Sequence, residues 1–165
     1  MDMAQKNKYT YDWPRPMVTV DAAVFTFFKN KPHILLINRG NDPFKGRWAL
    51  PGGFVEMDEE LETAAKRELA EETGIKNIQL EQLHTFGAVG RDPRGRQITI
   101  VFIGITNKNN QKTKAGDDAA LAKWFDISDL PKDLAFDHNE VIHLAIKKLK
   151  NKKVYKDNIK KIINV

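Results

Sequence analysis

Three glutamates stand close together in the segment from Lys66 to Ile75, KRELAEETGI. Because residues three and four apart are neighbours on a helix, Glu68, Glu71 and Glu72 would share an arc of about 100°. Like charges at this spacing destabilise a helix by roughly 0.2 to 0.5 kcal/mol per pair, and only Arg67 offsets them locally. Clustered carboxylates are typical ligands of Mg²⁺ or Mn²⁺, ions that also bind phosphates. The stripe therefore predicts either a metal site or, as in many Glu-rich helices, a solvated acidic face.

A helix must present these glutamates, and the sequence predicts one. Residues 59–73 contain no glycine or proline and are rich in good helix formers, and Gly74 supplies a stop signal. Hydrophobic patterns predict a second helix over residues 139–150 and strands over residues 17–28, 33–39, 48–50, 78–90, 97–106 and 122–127. The rest of the stretch GNDPFKGRWALPGGF, outside the short strand WAL, is expected to be loop. This order predicts an α/β (α+β) fold, an α/β/α sandwich with a mixed β-sheet.

Length and composition restrict the class of protein. A chain of 165 residues with 41% hydrophobic content forms one ordinary domain. We divide it into an N-terminal extension (1–16), a domain (17–150) and a Lys-rich tail (151–165). The chain has no long apolar run and no signal peptide, so we expect a cytoplasmic protein without a membrane partner. Without cysteine, any metal would be held by oxygen or by histidine, and no histidine has a metal-ligand spacing.

The formal net charge of +5 belongs to the end of the chain. Eight lysines and only one acidic residue, Asp157, follow Ile146, which leaves 19 basic and 21 acidic residues for the remainder. Nucleic acid could bind a lysine-rich tail, but a tail with no arginine and one aromatic residue is more typical of a solvated chain end. We therefore expect no nucleic-acid partner.

The residues around the glutamates match a known motif. Residues 53–75 fit the Nudix box, G-x5-E-x7-R-E-U-x-E-E-x-G-U with U aliphatic, at all nine constrained positions. The sequence therefore resembles the Nudix hydrolases. The resemblance implies a Nudix-type α/β/α sandwich and Mg²⁺-dependent hydrolysis of a nucleoside diphosphate linked to a second group, with Mn²⁺ as an alternative ion. The metal ligands that it implies are the carboxylates of Glu68, Glu71 and Glu72 and the carbonyl of Gly53.

The same resemblance implies roles for the other polar box residues. Arg67 would orient a glutamate, and Glu59 would be an accessory carboxylate or a structural contact. The general base stays open between a box glutamate and a later loop, where Asp117 and Asp118 are the candidates. A solvated linker is an equally good interpretation of these two aspartates.

A turn outside the box indicates the substrate. RDPRGR places Arg91, Asp92, Arg94 and Arg96 between two predicted strands, and arginine forks match phosphate and ribose oxygens. Together with RPMVTVDAAVF and GDDAALAKWFDISDLPKDLAFDHNEVI, this turn is similar to bacterial ADP-ribose pyrophosphatases and ADP-ribose-sensing regulators. The similarity implies conversion of ADP-ribose and water to AMP and ribose 5-phosphate, with these four residues as substrate contacts. It also makes a homodimer one expected assembly.

Two alternatives to this hydrolase remain. One is a house-cleaning hydrolase of nucleoside triphosphates, dinucleoside polyphosphates or NADH, since the box is common to all of these enzymes. The other is a non-catalytic ADP-ribose-binding sensor domain. Only 16 residues follow Leu149, too few for a fused winged helix, and the set of box carboxylates is complete, so we expect an enzyme. The sequence leaves open the preferred substrate, the number of metals and the role of the tail.

Overall fold

A computed structural model describes residues 9–106 and 122–153 of the chain. The described part contains seven strands and two helices. In chain order these are β1 (Met17–Phe28), β2 (Lys31–Asn38), β3 (Trp48–Ala49), β4 (Gly52–Phe54), α1 (Leu61–Thr73), β5 (Leu80–Phe86), β6 (Gln97–Ile105), β7 (Ala122–Asp126) and α2 (His138–Asn151). The predicted strands and both predicted helices are therefore present, with boundaries that differ by a few residues.

The strands form one mixed sheet with the order β3-β2-β1-β6-β5, while β4 pairs with β1 and β7 pairs with β2. β1 and β6 run parallel over residues 17–25 and 97–105, and the other strand pairs are antiparallel. A parallel pair requires a long crossover connection, which here includes α1 and β5. The predicted mixed sheet is confirmed.

The two helices cover opposite faces of this sheet. Successive residues of a strand point to opposite faces, so β1 contributes to both cores. On one face, Val20, Ala22 and Val24 belong to the cluster that includes Leu69 of α1. On the other face, Phe25 of β1 packs in the cluster that contains Val141, Ile142 and Ala145 of α2. The α/β/α sandwich is therefore confirmed.

Helix α1 begins two residues later than predicted, because Glu60 is extended and Glu59 lies before the helix. The carboxylate of Glu59 instead accepts the N–H of Glu56 and pairs with Arg67. The helix ends as predicted at Gly74, which has φ 75° and donates its N–H to the carbonyl oxygen of Ala70. A positive φ at this position suits glycine, which has no Cβ.

One predicted loop contains a strand. The segment PGGF was expected to be loop, but Gly52–Phe54 forms β4, which pairs with residues 19–21 of β1. A Cβ on Gly52 would overlap the carbonyl oxygen of Val20 and the carboxylate of Asp21, so only glycine permits this close pairing. The strand brings the two glycines of the segment up to α1.

Some sequence-based predictions lie outside the described residues. These are the base candidates Asp117 and Asp118, most of the Lys-rich tail and the first half of the N-terminal extension. Within the described residues, neither helix has the length and apolar character required to cross a membrane.

Candidate active site

Strand β4 and helix α1 bring Gly53 and Glu68 into direct contact. A Cβ added to Gly53 would collide with the carboxylate of Glu68. The backbone of Gly53 and the side chain of Glu68 therefore share one small space, as two ligands of one ion would. Both residues were predicted from the sequence to be metal ligands. Their contact, however, depends on strand β4, which was not predicted.

Arg67 organises the acidic side of α1. Its guanidinium donates to both carboxylate oxygens of Glu59 at 2.6 and 3.1 Å, to Glu68 at 2.8 Å, to Glu71 at 3.4 Å and to the carbonyl oxygen of Phe54 at 3.1 Å. The hydrogen bonds from Arg67 hold the pKa of Glu59 below its usual value. Burial raises the pKa of Glu68, although Arg67 acts against that increase. Arg67 therefore compensates part of the repulsion among the carboxylates.

Glu72 is the most strongly perturbed of the three glutamates. Its Oε2 accepts the backbone N–H of Gly52 at 2.9 Å, which ties α1 to β4. Burial raises its pKa to about 8, and the charges of Glu68 and Asp21 act in the same direction. A buried carboxylate without a cationic partner is destabilising, so this side chain favours either a proton or a metal ion.

The donor set suits a hard divalent ion. Glu68, Glu71 and Glu72 offer carboxylate oxygens, and the Gly53 backbone lies against the first of them. Across residues 9–106 and 122–153, no three acidic or histidine side chains already form an ion-binding cluster. The contacts of Arg67 with Glu68 and Glu71 give one reason, since they direct these carboxylates toward the guanidinium. The residue types fit Mg²⁺ or Mn²⁺, and binding would require these side chains to reorient.

The raised pKa of Glu72 predicts a pH-dependent stability. Its folded-state pKa of about 8 exceeds the ordinary value of 4.5, so the folded protein binds the extra proton between these pH values. The stabilisation is therefore complete below about pH 4.5 and is lost as the pH rises through 8. We expect the unfolding temperature of the protein in EDTA, measured relative to that of Glu72→Gln, to fall from pH 5 to pH 8.5. If the difference in unfolding temperature between the two proteins stayed constant across this range, Glu72 would not have the raised pKa of a buried carboxylate.

A cavity of about 50 Å³ lies beside Gly52 and Gly53. Three arginines, Arg39, Arg91 and Arg94, border it, and two of them come from the predicted substrate turn. Gly53, which contacts Glu68, lines the cavity together with these cations. This polarity suits an anionic substrate whose charge is also neutralised by metal.

Arg91 is tied to the start of α2. Its guanidinium forms a two-pronged ion pair with Asp137 at 2.6 and 2.8 Å and donates to the hydroxyl of Thr99. Only 6% of the Arg91 side chain is exposed. The residue therefore borders the cavity while also fixing the substrate turn to α2.

Arg94 and Asp92 form a second pair at the cavity. The Arg94 guanidinium contacts the Asp92 carboxylate at 2.7 and 3.0 Å and lies 5.4 and 5.0 Å from the ring centres of Phe54 and Phe136. Burial favours the neutral acid at Asp92, but the Arg94 hydrogen bonds outweigh it and lower its pKa. By contrast, exposed Arg96 donates to the carbonyl oxygens of Gly87 and Ala88 and does not border the cavity.

Sequence reasoning missed several residues that border the cavity, namely Asp21, Arg39, Gln97, Phe136 and His138. His138 accepts the N–H of Leu50 on Nδ1 at 2.9 Å, and its Nε2 lies 3.4 Å from Asp21. The positions of two of these residues at strand ends could have indicated a site, since Arg39 directly follows β2 and Gln97 begins β6. The cavity itself, however, is formed by segments that are distant in sequence and that only the fold brings together.

The family of the chain follows from comparison with known proteins. The model of the NUDIX domain matches residues 17–145. An ADP-ribose pyrophosphatase of Methanocaldococcus jannaschii is 47% identical over 127 residues, 77% of this chain and 71% of that protein. The ADPR responsive transcriptional repressor NtrR of Acinetobacter baylyi is 40% identical over 147 residues, 87% of this chain. The chain spans only 58% of the repressor's length.

Solved structures agree with this assignment. The NUDIX domain of Shewanella oneidensis NrtR, complexed with ADP ribose, superposes with a TM-score of 0.76 at 34% identity, covering 90% of this chain and 99% of that domain. A MutT/nudix family protein from Enterococcus faecalis gives a TM-score of 0.78 at 31% identity, over 92% of this chain and 71% of that protein. The chain therefore belongs to the Nudix hydrolase family, in its ADP-ribose pyrophosphatase-like branch.

Proposed function

We propose that the protein hydrolyses ADP-ribose to AMP and ribose 5-phosphate with a divalent metal, Mg²⁺ or alternatively Mn²⁺. The observation that carries this proposal is that α1 holds Glu68 against Gly53 and Glu72 against Gly52, beside an arginine-lined cavity. The similarity to an ADP-ribose pyrophosphatase and to a domain complexed with ADP ribose supports the choice of substrate.

The proposed metal ligands are Glu68, Glu71, Glu72 and the carbonyl of Gly53. When bound, the metal screens the phosphate charge, polarises the P–O bond and makes hydroxide available near neutral pH. Without metal, Gly52 donates to Glu72, and Arg67 contacts Glu68 while Glu59 contacts Arg67. To bind the metal, Glu68 and Glu71 would turn away from Arg67, whereas Glu72 could keep its contact with Gly52 through one carboxylate oxygen.

The proposed substrate contacts lie on the opposite wall of the cavity. Arg94 and Arg91 supply positive charge there, and each is oriented by a carboxylate, Asp92 and Asp137 respectively. A preorganised guanidinium loses less side-chain entropy when it binds phosphate oxygens. Arg96 is proposed to contribute by holding the turn through its bonds to the carbonyls of Gly87 and Ala88.

A second candidate function is that of a non-catalytic ADP-ribose sensor. The 40% identity to a repressor described as ADPR responsive favours it. The intact box favours the enzyme, because a domain that only binds nucleotide gains little from a buried glutamate whose pKa is raised to about 8.

A substrate panel separates these candidates. We expect purified protein with Mg²⁺ to show its highest kcat/KM for ADP-ribose among ADP-ribose, NADH, diadenosine polyphosphates, nucleotide sugars and nucleoside triphosphates. A preference for another compound would agree with a hydrolase but would overturn the assignment of ADP-ribose as its substrate. Tight binding of ADP-ribose without turnover of any compound would support the sensor.

A further inference from the structure

Gln97 carries a buried hydrogen-bond donor that no described residue satisfies. The residue begins β6 and is 1% exposed. Its Oε1 accepts from Arg94 at 3.5 Å, whereas its Nε2 has no partner in residues 9–106 or 122–153. Reversing the amide would direct its N–H groups at the donors of Arg94, so Arg94 fixes this orientation. An unpaired buried donor is destabilising, so we expect Nε2 to hydrogen-bond an acceptor from outside the protein.

Arg39 is a cation of the same cavity that interacts electrostatically with Glu72, Asp92 and Asp21 but forms no ion pair within the described residues. It donates from Nε to the carbonyl oxygen of Pro43 at 2.9 Å and, at 3.4 Å, to that of Asn41. Within the described ranges it forms no ion pair, whereas Arg91 and Arg94 each have an aspartate. Its positive charge is therefore available to an anion from outside the protein.

The ring of Phe136 lies close to two guanidinium groups of the cavity, that of Arg39 and that of the Asp92-paired Arg94. The guanidinium carbons of Arg39 and Arg94 lie 4.8 and 5.0 Å from the centre of its ring. Phe136 has φ 52°, an uncommon conformation for a non-glycine residue, and its ring also contacts Phe44 edge-on at 4.8 Å. Strained backbone that packing holds in place often occurs at binding sites.

The cavity offers an unpaired donor, Gln97 Nε2, and the positive charge of Arg39. Of its two carboxylates, Asp92 is paired with Arg94, and Asp21 lies 3.4 Å from His138 Nε2. A ribose hydroxyl would bring a donor as well as an acceptor, whereas a phosphoryl oxygen only accepts.

We propose that Gln97 and Arg39, together with Arg94, bind a phosphoryl group beside Gly53. Gln97 Nε2 donates to one phosphoryl oxygen, and the two guanidinium groups supply charge. This assignment rests on the proposed function, because it gives the phosphoryl group to the nucleotide substrate. It adds two residues to the recognition of that group, and neither belongs to the box or to the arginines of the substrate turn.

Replacement of Gln97 by methionine tests the proposal. The side chains have similar shape, so the variant loses the unpaired donor without opening a large cavity. We expect an unfolding temperature equal to or above that of the wild type without ligand, and at least about tenfold weaker binding of AMP and inorganic phosphate. Adenosine, which lacks the phosphoryl group, should bind both proteins equally. Titration calorimetry with Mg²⁺ present and thermal unfolding measure these effects.

Matched variants complete the test. Gln82→Met makes the same change at an exposed position of β5 and should leave binding and stability unchanged. Arg39→Met should weaken AMP and phosphate at least as strongly as Gln97→Met. A Gln97→Met protein that is less stable than wild type but binds phosphate and AMP normally would overturn the proposal, as would equal losses for adenosine and AMP. Wild-type turnover of ADP-ribose is scored separately, and its absence would count against the proposed function rather than this phosphoryl site.

Discussion

Glu72→Gln is expected to lower turnover of ADP-ribose by more than about 100-fold while making the metal-free protein more stable at pH 8. Loss of a residue that orients a metal ligand commonly reduces activity by roughly 10- to 100-fold, and loss of a ligand should exceed this. The neutral amide can still accept the N–H of Gly52 through its oxygen. It removes the buried charge that is repelled by Glu68 and Asp21, so folding becomes more favourable.

The matched control for this variant is Glu62→Gln on the same helix. Glu62 is exposed and pairs with Lys66 one turn later, an interaction that contributes little to stability. Both activity and unfolding temperature should therefore stay close to those of the wild type. Full activity of the Glu72→Gln variant would contradict the role of this glutamate as a metal ligand. In a sensor, the variant would instead keep its affinity for ADP-ribose.

Gly53→Ala is expected to reduce turnover by about 100-fold with only a small loss of stability. The added methyl group would meet the carboxylate end of Glu68, which is flexible and can move aside. Gly53 does not have a positive φ, so alanine is compatible with its backbone. The methyl group would occupy the space beside Gly53 that the Glu68 carboxylate needs in the proposed metal site, and misplacement of a catalytic group by about 1 Å commonly lowers the rate by about 100-fold.

Two other glycines, Gly52 and Gly40, provide the comparison for Gly53→Ala. Gly52→Ala should lower stability strongly, because its methyl group would meet the backbone of Val20 and Asp21 in addition to the Asp21 carboxylate. Gly40→Ala should change neither property, since no atom lies within 4 Å of the added Cβ. Thermal unfolding and steady-state kinetics of the three variants measure this order. A Gly53→Ala protein with normal kinetics would contradict a close functional contact between Gly53 and Glu68.

The elements with strong local signals were predictable from the sequence. Helix α1 combines good helix formers with a glycine stop, and β1 is rich in β-branched and aromatic residues, so both have nearly the predicted boundaries. Strand β4 has no such signal, because two of its three residues are glycines that normally favour loops. It forms because β1 offers a partner strand, and this tertiary pairing overrides local preference.

The residues of the candidate site also differ in whether a local sequence signal identifies them. The box glutamates could be named because their spacing lies within one helix and one motif. Arg39, Gln97 and Phe136 come from the end of β2, the start of β6 and the approach to α2, and no short spacing connects them. Their relation depends on the sheet order β2-β1-β6, which carries residues far apart in sequence to one cavity.

The most direct test of the central claim is ³¹P NMR of ADP-ribose incubated with the protein and Mg²⁺. We expect the two diphosphate signals to be replaced by two phosphomonoester signals of equal intensity, matching added AMP and ribose 5-phosphate. The same sample in EDTA should keep its diphosphate signals, because in the proposed mechanism the box glutamates act through a bound metal. Intact ADP-ribose in both samples would contradict a hydrolase that acts on this compound.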